Sequence, residues 1–535
     1  METTTRSAQA SQVCKSCKDR KRRCDKALPK CSLSVPADQS SPAAPESYCE
    51  DGMGIPHQSS SDRAAVQPIT LSTVQFLDPT LLQHGPLELH RPNIEIRSVL
   101  LEVLGGIDKI RATADRFFTN IHPWMPFISK QRFYSQHLSA EPHFGAELII
   151  LSVAVRLITM YSPENPRHGL YPLAKYHYFR IEGSTAPSIL ILQANILIAL
   201  YELGHGIYPA AYLTIGACAR YMYALGINGT RSRSADMNMP RPVSLVEVEE
   251  RKRVWWAVVI LDRFVSIASP SRPFATPDPE LNDLMPANDE DWDNGFVNGA
   301  DMHTISTPTP GHMCKFSLLC QAARVLGKVL CFLNRFGGRN GHIPESEKMP
   351  LSLENHERMQ LDSTLQSMLN AAMELDVPDL DTITFIYSAM MALYTPHLPT
   401  TYSTHRSSTP PTYDDPTTRS LEIVDQITEA IASSLLDKRC ISGRNPEGMS
   451  PWRAYFGYRV LGVHMATMRA ARSRGEDTVS IHVHTMRGEG AGREVDVEQV
   501  ISVMRRALQV IGSRWKLGDI YLRLLEAQEV LDAGV

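Results

Sequence analysis

Residues 188–203 read SILILQANILIALYEL, a run whose apolar side chains would cover much of a helix's circumference rather than one stripe. A helix of that kind has almost no face to offer water, so other elements must surround it. ELIILSVAVRLITMY, at 147–161, has the same character. Enclosing two such helices takes a large body. The chain, with 535 residues of which 43% are hydrophobic and 21% charged, is long and apolar enough to build one. AAYLTIGACARYMYALGIN (210–228) mixes small and large apolar residues and reaches Gly226, a helix stop. EVEERKRVWWAVVILDRFVSI (247–267) opens acidic, where carboxylates meet the positive end of a helix dipole, and then turns apolar. Helical periodicity continues over 312–335, 354–374, 382–394, 418–436, 451–473 and 497–531. Strand-like alternation is scarce, with SIHVHTM (480–486) the stretch that carries it. The expected fold is mostly α, with an all-helical body of about 15 helices over residues 94–535 and long Pro-rich loops at 268–310 and 395–416.

The N-terminus is polar and lacks the apolar core of a signal peptide. No stretch approaches the ~20 apolar residues of a membrane span. The richest runs are interrupted by Ser152, Arg156, Gln193, Asn195 and Glu202. These features lead us to expect an intracellular protein with no membrane partner, in a compartment that keeps thiols reduced. There a tight cysteine cluster points to metal rather than disulfides.

Such a cluster opens the chain. Residues 14–34 read CKSCKDRKRRCDKALPKCSLS, and five of the ten cysteines fall within the first 49 residues. Cys14 and Cys17 form a C-x-x-C pair, and Cys24 and Cys31 follow after six residues each. Four thiolates suffice for one tetrahedral zinc ion, and metal binding would supply the folding energy of a segment with no core. The formal net charge of the chain is only −4, yet residues 15–30 hold Lys15, Lys18, Arg20, Lys21, Arg22, Arg23, Lys26 and Lys30 against Asp19 and Asp25. A compact basic patch on an acidic chain is a footprint for a polyanion. The same run could serve as a nuclear-import signal. Residues 10–49 are therefore read as a small zinc module. Residues 50–93, rich in Ser, Pro, Ala, Asp and Gln, form a flexible linker without a heptad run.

The cluster resembles the fungal binuclear zinc-cluster (six-cysteine) DNA-binding domain, with Cys14, Cys17, Cys24, Pro29 and Cys31 matching its pattern in order. The resemblance implies that Cys14 and Cys31 bridge two zinc ions and that Cys17 and Cys24 complete the first. The second zinc needs a fifth and a sixth cysteine. Ser34 stands at the fifth position, and Cys49 is the only later candidate, across a long loop. One zinc site is thus complete and the second lacks a thiolate. The resemblance further implies a short helix that enters the major groove. Arg20 and Lys21 are placed to read bases, while Lys18, Arg22 and Arg23 contact phosphates. The implied partner is double-stranded, GC-containing DNA with CGG-type half-sites, bound by a homodimer that engages the transcription machinery.

A second resemblance covers roughly 95–300. FFTNIHPWMPFISKQRFY, LQANILIALYELGHGIYPAAYLTIGACARYMYALGIN and ERKRVWWAVVILDRFVSIASPSRPFATPDPEL are similar to the fungal transcription-factor regulatory domain, also called the middle homology region. That resemblance implies an all-helical regulatory body without catalytic residues. Single residues within it have bland readings. Adjacent Trp255 and Trp256 suit packing better than an effector pocket, and Arg253 and Asp262 are candidates for an ion pair across helices. His205 lies at a tight interhelical turn. Cys218, Cys314, Cys320, Cys331 and Cys440 read as core residues. His482 and His484 share a strand face but lack a third metal ligand. GEGAG (488–492) lacks both the spacing and the parallel-sheet context of a nucleotide loop. No G-x-S-x-G or H-E-x-x-H motif occurs.

Together these readings lead us to expect a nuclear, zinc-dependent, sequence-specific transcription factor of RNA polymerase II genes, not an enzyme. A secondary-metabolite gene cluster is the expected target. The rival reading is a regulatory or interaction protein that has lost autonomous DNA binding through its incomplete zinc cluster.

Overall fold

The computed structural model describes residues 98–139, 145–161, 164–183, 187–228, 244–299, 303–307, 313–337, 351–375, 378–394, 416–436, 445–472, 475, 480–483 and 493–533. The expected zinc module (10–49), linker (50–93) and loop after Tyr394 lie outside the described residues.

The helices are α1 (Ser98–Leu104), α2 (Ile107–Asn120), α3 (Ala146–Thr159), α4 (Leu170–Glu182), α5 (Ile189–Gly204), α6 (Ala210–Ala224) and α7 (Leu245–Val265). They continue as α8 (Asp289–Asp293), α9 (Lys315–Gly337), α10 (Leu351–Met373), α11 (Leu380–Tyr394) and α12 (Pro416–Leu436). The last three are α13 (Trp452–Arg472), α14 (Val497–Arg514) and α15 (Lys516–Ala533). A single turn at Lys130–Arg132 runs on as a π-helical turn over Phe133–His137. The departure from an all-helical body is a two-stranded antiparallel ladder, β1 (Ser480–Val483) against β2 (Arg493–Asp496), with Ser480 opposite Asp496. β1 falls on the stretch whose alternation reads as strand, and β2 is not expected from the sequence.

Every residue of α5 is buried, as its all-round apolar pattern requires. It packs among α3, α4, α6 and α7. Ser188 caps its first turn, accepting from the Leu190 N–H at 3.2 Å. Ser244 does the same for α7 through the Glu247 N–H at 3.3 Å, and Glu247 supplies the acidic first turn. Gly226, in a left-handed conformation at φ 72°, stops α6 as expected, with the Ile227 N–H reaching back to the Met222 carbonyl at 3.1 Å. α9 corrects one expectation: its span Lys315–Arg335 is long and apolar enough to cross a membrane by length and composition. Most of that span is buried against other helices. Among the described residues, one core cluster runs from Leu100 to Leu525.

The span 497–531 divides into two helices at Trp515, whose backbone is extended (φ −121°, ψ 112°). The helices fold back on each other so closely that a Cβ on Gly518 would lie 2.6 Å from the Leu508 carbonyl oxygen. A Cβ on Gly512 would collide with the Asp519 carboxylate. The corner they form is pinned to α3, α5 and the turn before α13. Trp515 is fully buried, donates its indole N–H to the Met449 carbonyl at 2.7 Å, and lies where a Cβ on Gly204 would fall within its ring. Arg514 donates to the carbonyls of Ile158 and Met160.

His205 belongs to this joint. It is 2% exposed, packs on Tyr201 and Trp515, and receives the Lys516 N–H at 3.4 Å. Burial, with Arg514 and Lys516 nearby, lowers its pKa to about 3, and burial lowers that of His464 on α13 to about 4. Both rings stay neutral in the folded protein where an unfolded chain would bind protons. Stability is therefore complete above an ordinary histidine pKa and lost as pH falls below it. By pH 5 the two together should cost about 4 kcal/mol, at ~1.4 kcal/mol per pH unit each. Denaturant midpoints should fall steeply between pH 7 and 5, and His464→Gln should remove about half of that slope. An unchanged slope in the variant would contradict the assignment.

Candidate functional site

The expected zinc ligands Cys14, Cys17, Cys24, Cys31 and Cys49 lie outside the described residues. So do Lys18, Arg20, Lys21, Arg22, Arg23, Ser34, Cys440, His484 and the GEGAG loop. His482 is on β1, opposite Glu494. Among the described residues no group of three or more His, Cys, Asp or Glu could hold a metal ion. Cys218 and Cys320 are buried, and Cys314 and Cys331 partly so. Burial pushes all four thiols up, Cys314 to about 12, which keeps them protonated and inert.

The three segments that carry the regulatory-domain resemblance meet on α7. The buried Glu250 carboxylate accepts from the Ser129 N–H at 2.8 Å and from Gln193 Nε2 at 3.0 Å, and pairs with Arg132. One turn on, Arg253 is fully buried. It donates to Glu249 (2.8 Å), Asp289 (2.8 Å) and the carbonyls of Ala287 (2.8 Å) and Pro126 (3.3 Å). Its guanidinium stacks 4.1 Å from the Trp292 ring centroid. Burial alone would lower its pKa, but Asp289 and Glu249 outweigh that and hold it above its ordinary value. Two turns further, Asp262 accepts from the N–H groups of Ala275 and Thr276 and from its neighbour Arg263. Arg263 also donates to the carbonyls of Thr276 and Pro277. Arg253 and Asp262 thus do not pair with each other. Each binds the Pro-rich strap after α7, which is an ordered cover rather than an open loop. Trp256 donates to the Leu284 carbonyl of the same strap at 2.9 Å, and both tryptophans are packing residues.

The site that sequence reasoning missed is a cavity of about 340 Å³ between the end of α10 and helices α11, α12, α13 and α14. Ile383, Ile427, Phe456, Met504 and Ile511 supply apolar walls. Polar groups on the wall include Thr384, Tyr387 and Arg453. Asp381 locks Arg453 by accepting from both Nε and Nη2, and also accepts from the Ser450 N–H at 3.1 Å. Thr384 is satisfied by the Leu380 carbonyl at 2.7 Å. Neither Trp255 nor Trp256 lines this space. Its walls come from five helices, so no local spacing in the chain signals it.

Comparison with known proteins bears on the whole body. The model of the fungal specific transcription factor domain matches residues 114–394. A transcription factor, BOA15 of Botryotinia fuckeliana, is 36% identical over 160 residues, 29% of this chain and 88% of that protein. The pigment biosynthesis transcriptional activator pigB of Monascus ruber is 24% identical over 363 residues, 59% of this chain and 63% of its own. The azaphilone cluster-specific transcription factor azaR of Aspergillus niger is 25% identical over 283 residues, 47% of this chain and 56% of its own. The chain thus spans less than two thirds of pigB and azaR. No solved structure matches it. The family and these relatives are transcription factors, not enzymes, in line with the sequence expectation. With the match covering 114–394, more than half of the chain, this protein belongs to the family defined by the fungal specific transcription factor domain.

Proposed function

We propose that the protein is a zinc-dependent, sequence-specific DNA-binding transcription factor, acting in the nucleus on RNA polymerase II genes of a secondary-metabolite cluster. The observation that carries this reading is the run Cys14, Cys17, Cys24, Cys31, filled with basic residues and placed ahead of a fungal transcription factor domain. The named roles of pigB and azaR in pigment and azaphilone biosynthesis support the choice of target genes. Four thiolates are the donor set of a closed structural zinc site, so Cys14, Cys17, Cys24 and Cys31 would hold one ion and fix the basic segment between them. Cys49 is the candidate ligand left for a second ion. On this reading, residues 10–49 bind double-stranded DNA at CGG-type half-sites, 50–93 tether them, and the helical body mediates dimerisation and contact with the transcription machinery.

Arg20→Ala and Lys21→Ala should each reduce discrimination between target and random duplexes by about 1–3 kcal/mol. Arg22→Ala and Arg23→Ala should instead weaken binding to every sequence and flatten its salt dependence. Titrations at several salt concentrations separate the two patterns, and equal losses on both duplexes for all four variants would sink the role assignment.

Ser34 favours a second reading, in which the incomplete cluster no longer binds DNA on its own. Under that reading the natural chain does not discriminate between duplexes, and Ser34→Cys restores discrimination together with a second zinc counted by native mass spectrometry.

A further inference from the structure

The cavity beside α11 has the size of a small-molecule site, which typically spans ~300–1,000 Å³. Much of its wall comes from residues beyond 394, where the family match ends, so the site is built largely by this chain's C-terminal helices. Met373, Met449 and Met504 line it, and flexible thioethers adapt to apolar guests of varied shape. Tyr387 lines the same cavity, is 3% exposed, and stacks its ring on Phe456. Its hydroxyl is a donor on a largely apolar wall, and such a group fixes the orientation of a ligand oxygen. Burial, reinforced by Glu429, pushes the Tyr387 pKa up, so the group remains a donor. Arg453, the cation on the wall, is already engaged by the Asp381 carboxylate. An anionic ligand would have to compete with Asp381, whereas a neutral one need not.

We propose that this cavity binds a neutral, largely apolar small molecule whose oxygen accepts a hydrogen bond from the Tyr387 hydroxyl. This goes beyond the transcriptional reading, and its test requires neither zinc nor DNA. The probe is the neutral naphthyl-ketone dye Prodan, titrated into the full chain. Saturable, one-to-one, blue-shifted emission is expected, displaced by decanol but not by decanoate at the same concentration. Ala430→Phe, which fills the cavity, should abolish binding, and Tyr387→Phe should weaken it about tenfold with the melting temperature unchanged. If Ala430→Phe does not fold, Tyr387→Phe decides. Non-saturable emission, or binding unchanged in Tyr387→Phe, would overturn the site. Equal displacement by decanoate would overturn the neutral ligand class.

Discussion

Arg253→Ala should destabilise the helical body by about 3–5 kcal/mol, the cost of removing one partner from a buried ion pair. The substitution leaves Glu249 with only Lys252 and the Ala287 N–H, and Asp289 with the Phe316 N–H. It also frees the carbonyls of Ala287 and Pro126 and leaves a void beside Trp292 and Phe316. Typical domain stabilities are about 5–15 kcal/mol, so the loss is a large share of the total. Arg472→Ala is the control. Its pair with Glu498 spans 3.7 Å, both side chains are more than 60% exposed, and a pair of that kind contributes no more than ~1 kcal/mol. Urea unfolding of both variants measures the difference. Equal midpoints would show that the strap after α7 is not held as described.

The second large effect concerns zinc. Cys24→Ala leaves three thiolates where a closed structural site uses four. On the proposed function, the ion supplies the folding energy of this short segment. DNA affinity should then fall to the non-specific level, about a thousandfold or more below specific binding. Melting of the helical body should be unchanged, because no metal-ligand cluster occurs among its described residues. Anisotropy titration and thermal melting of the same variant report the two halves of this expectation. Retained specific binding would remove Cys24 from the ligand set.

The helical body is legible in the sequence wherever burial is all-round, because a helix such as α5 leaves no choice of face. The corner at Trp515 is not legible in the same way. Apolar periodicity runs through 497–531, and the break depends on two helices meeting at Gly512 and Gly518, a tertiary contact. The role of the strap after α7 is hidden for another reason. Arg253 and Arg263 are satisfied largely by backbone carbonyls, which every residue possesses and no composition reveals. The expected Arg253–Asp262 pair rested on side-chain charge alone and so named the wrong partners. The cysteine run from Cys14 to Cys31 lies outside the described residues, so its proposed role rests on its spacing in the sequence alone.

On the proposed function, the N-terminal thiolates hold zinc so that the basic run can read DNA. Its most direct measurement is fluorescence anisotropy of the full chain on a duplex with CGG half-sites and on a scrambled duplex. Each is titrated with zinc present, after chelation and after zinc is restored. Preference for the CGG duplex is expected with zinc, with its loss on chelation and its return with added zinc. Equal binding to both duplexes by the zinc-loaded chain, or a preference that survives chelation, would contradict it.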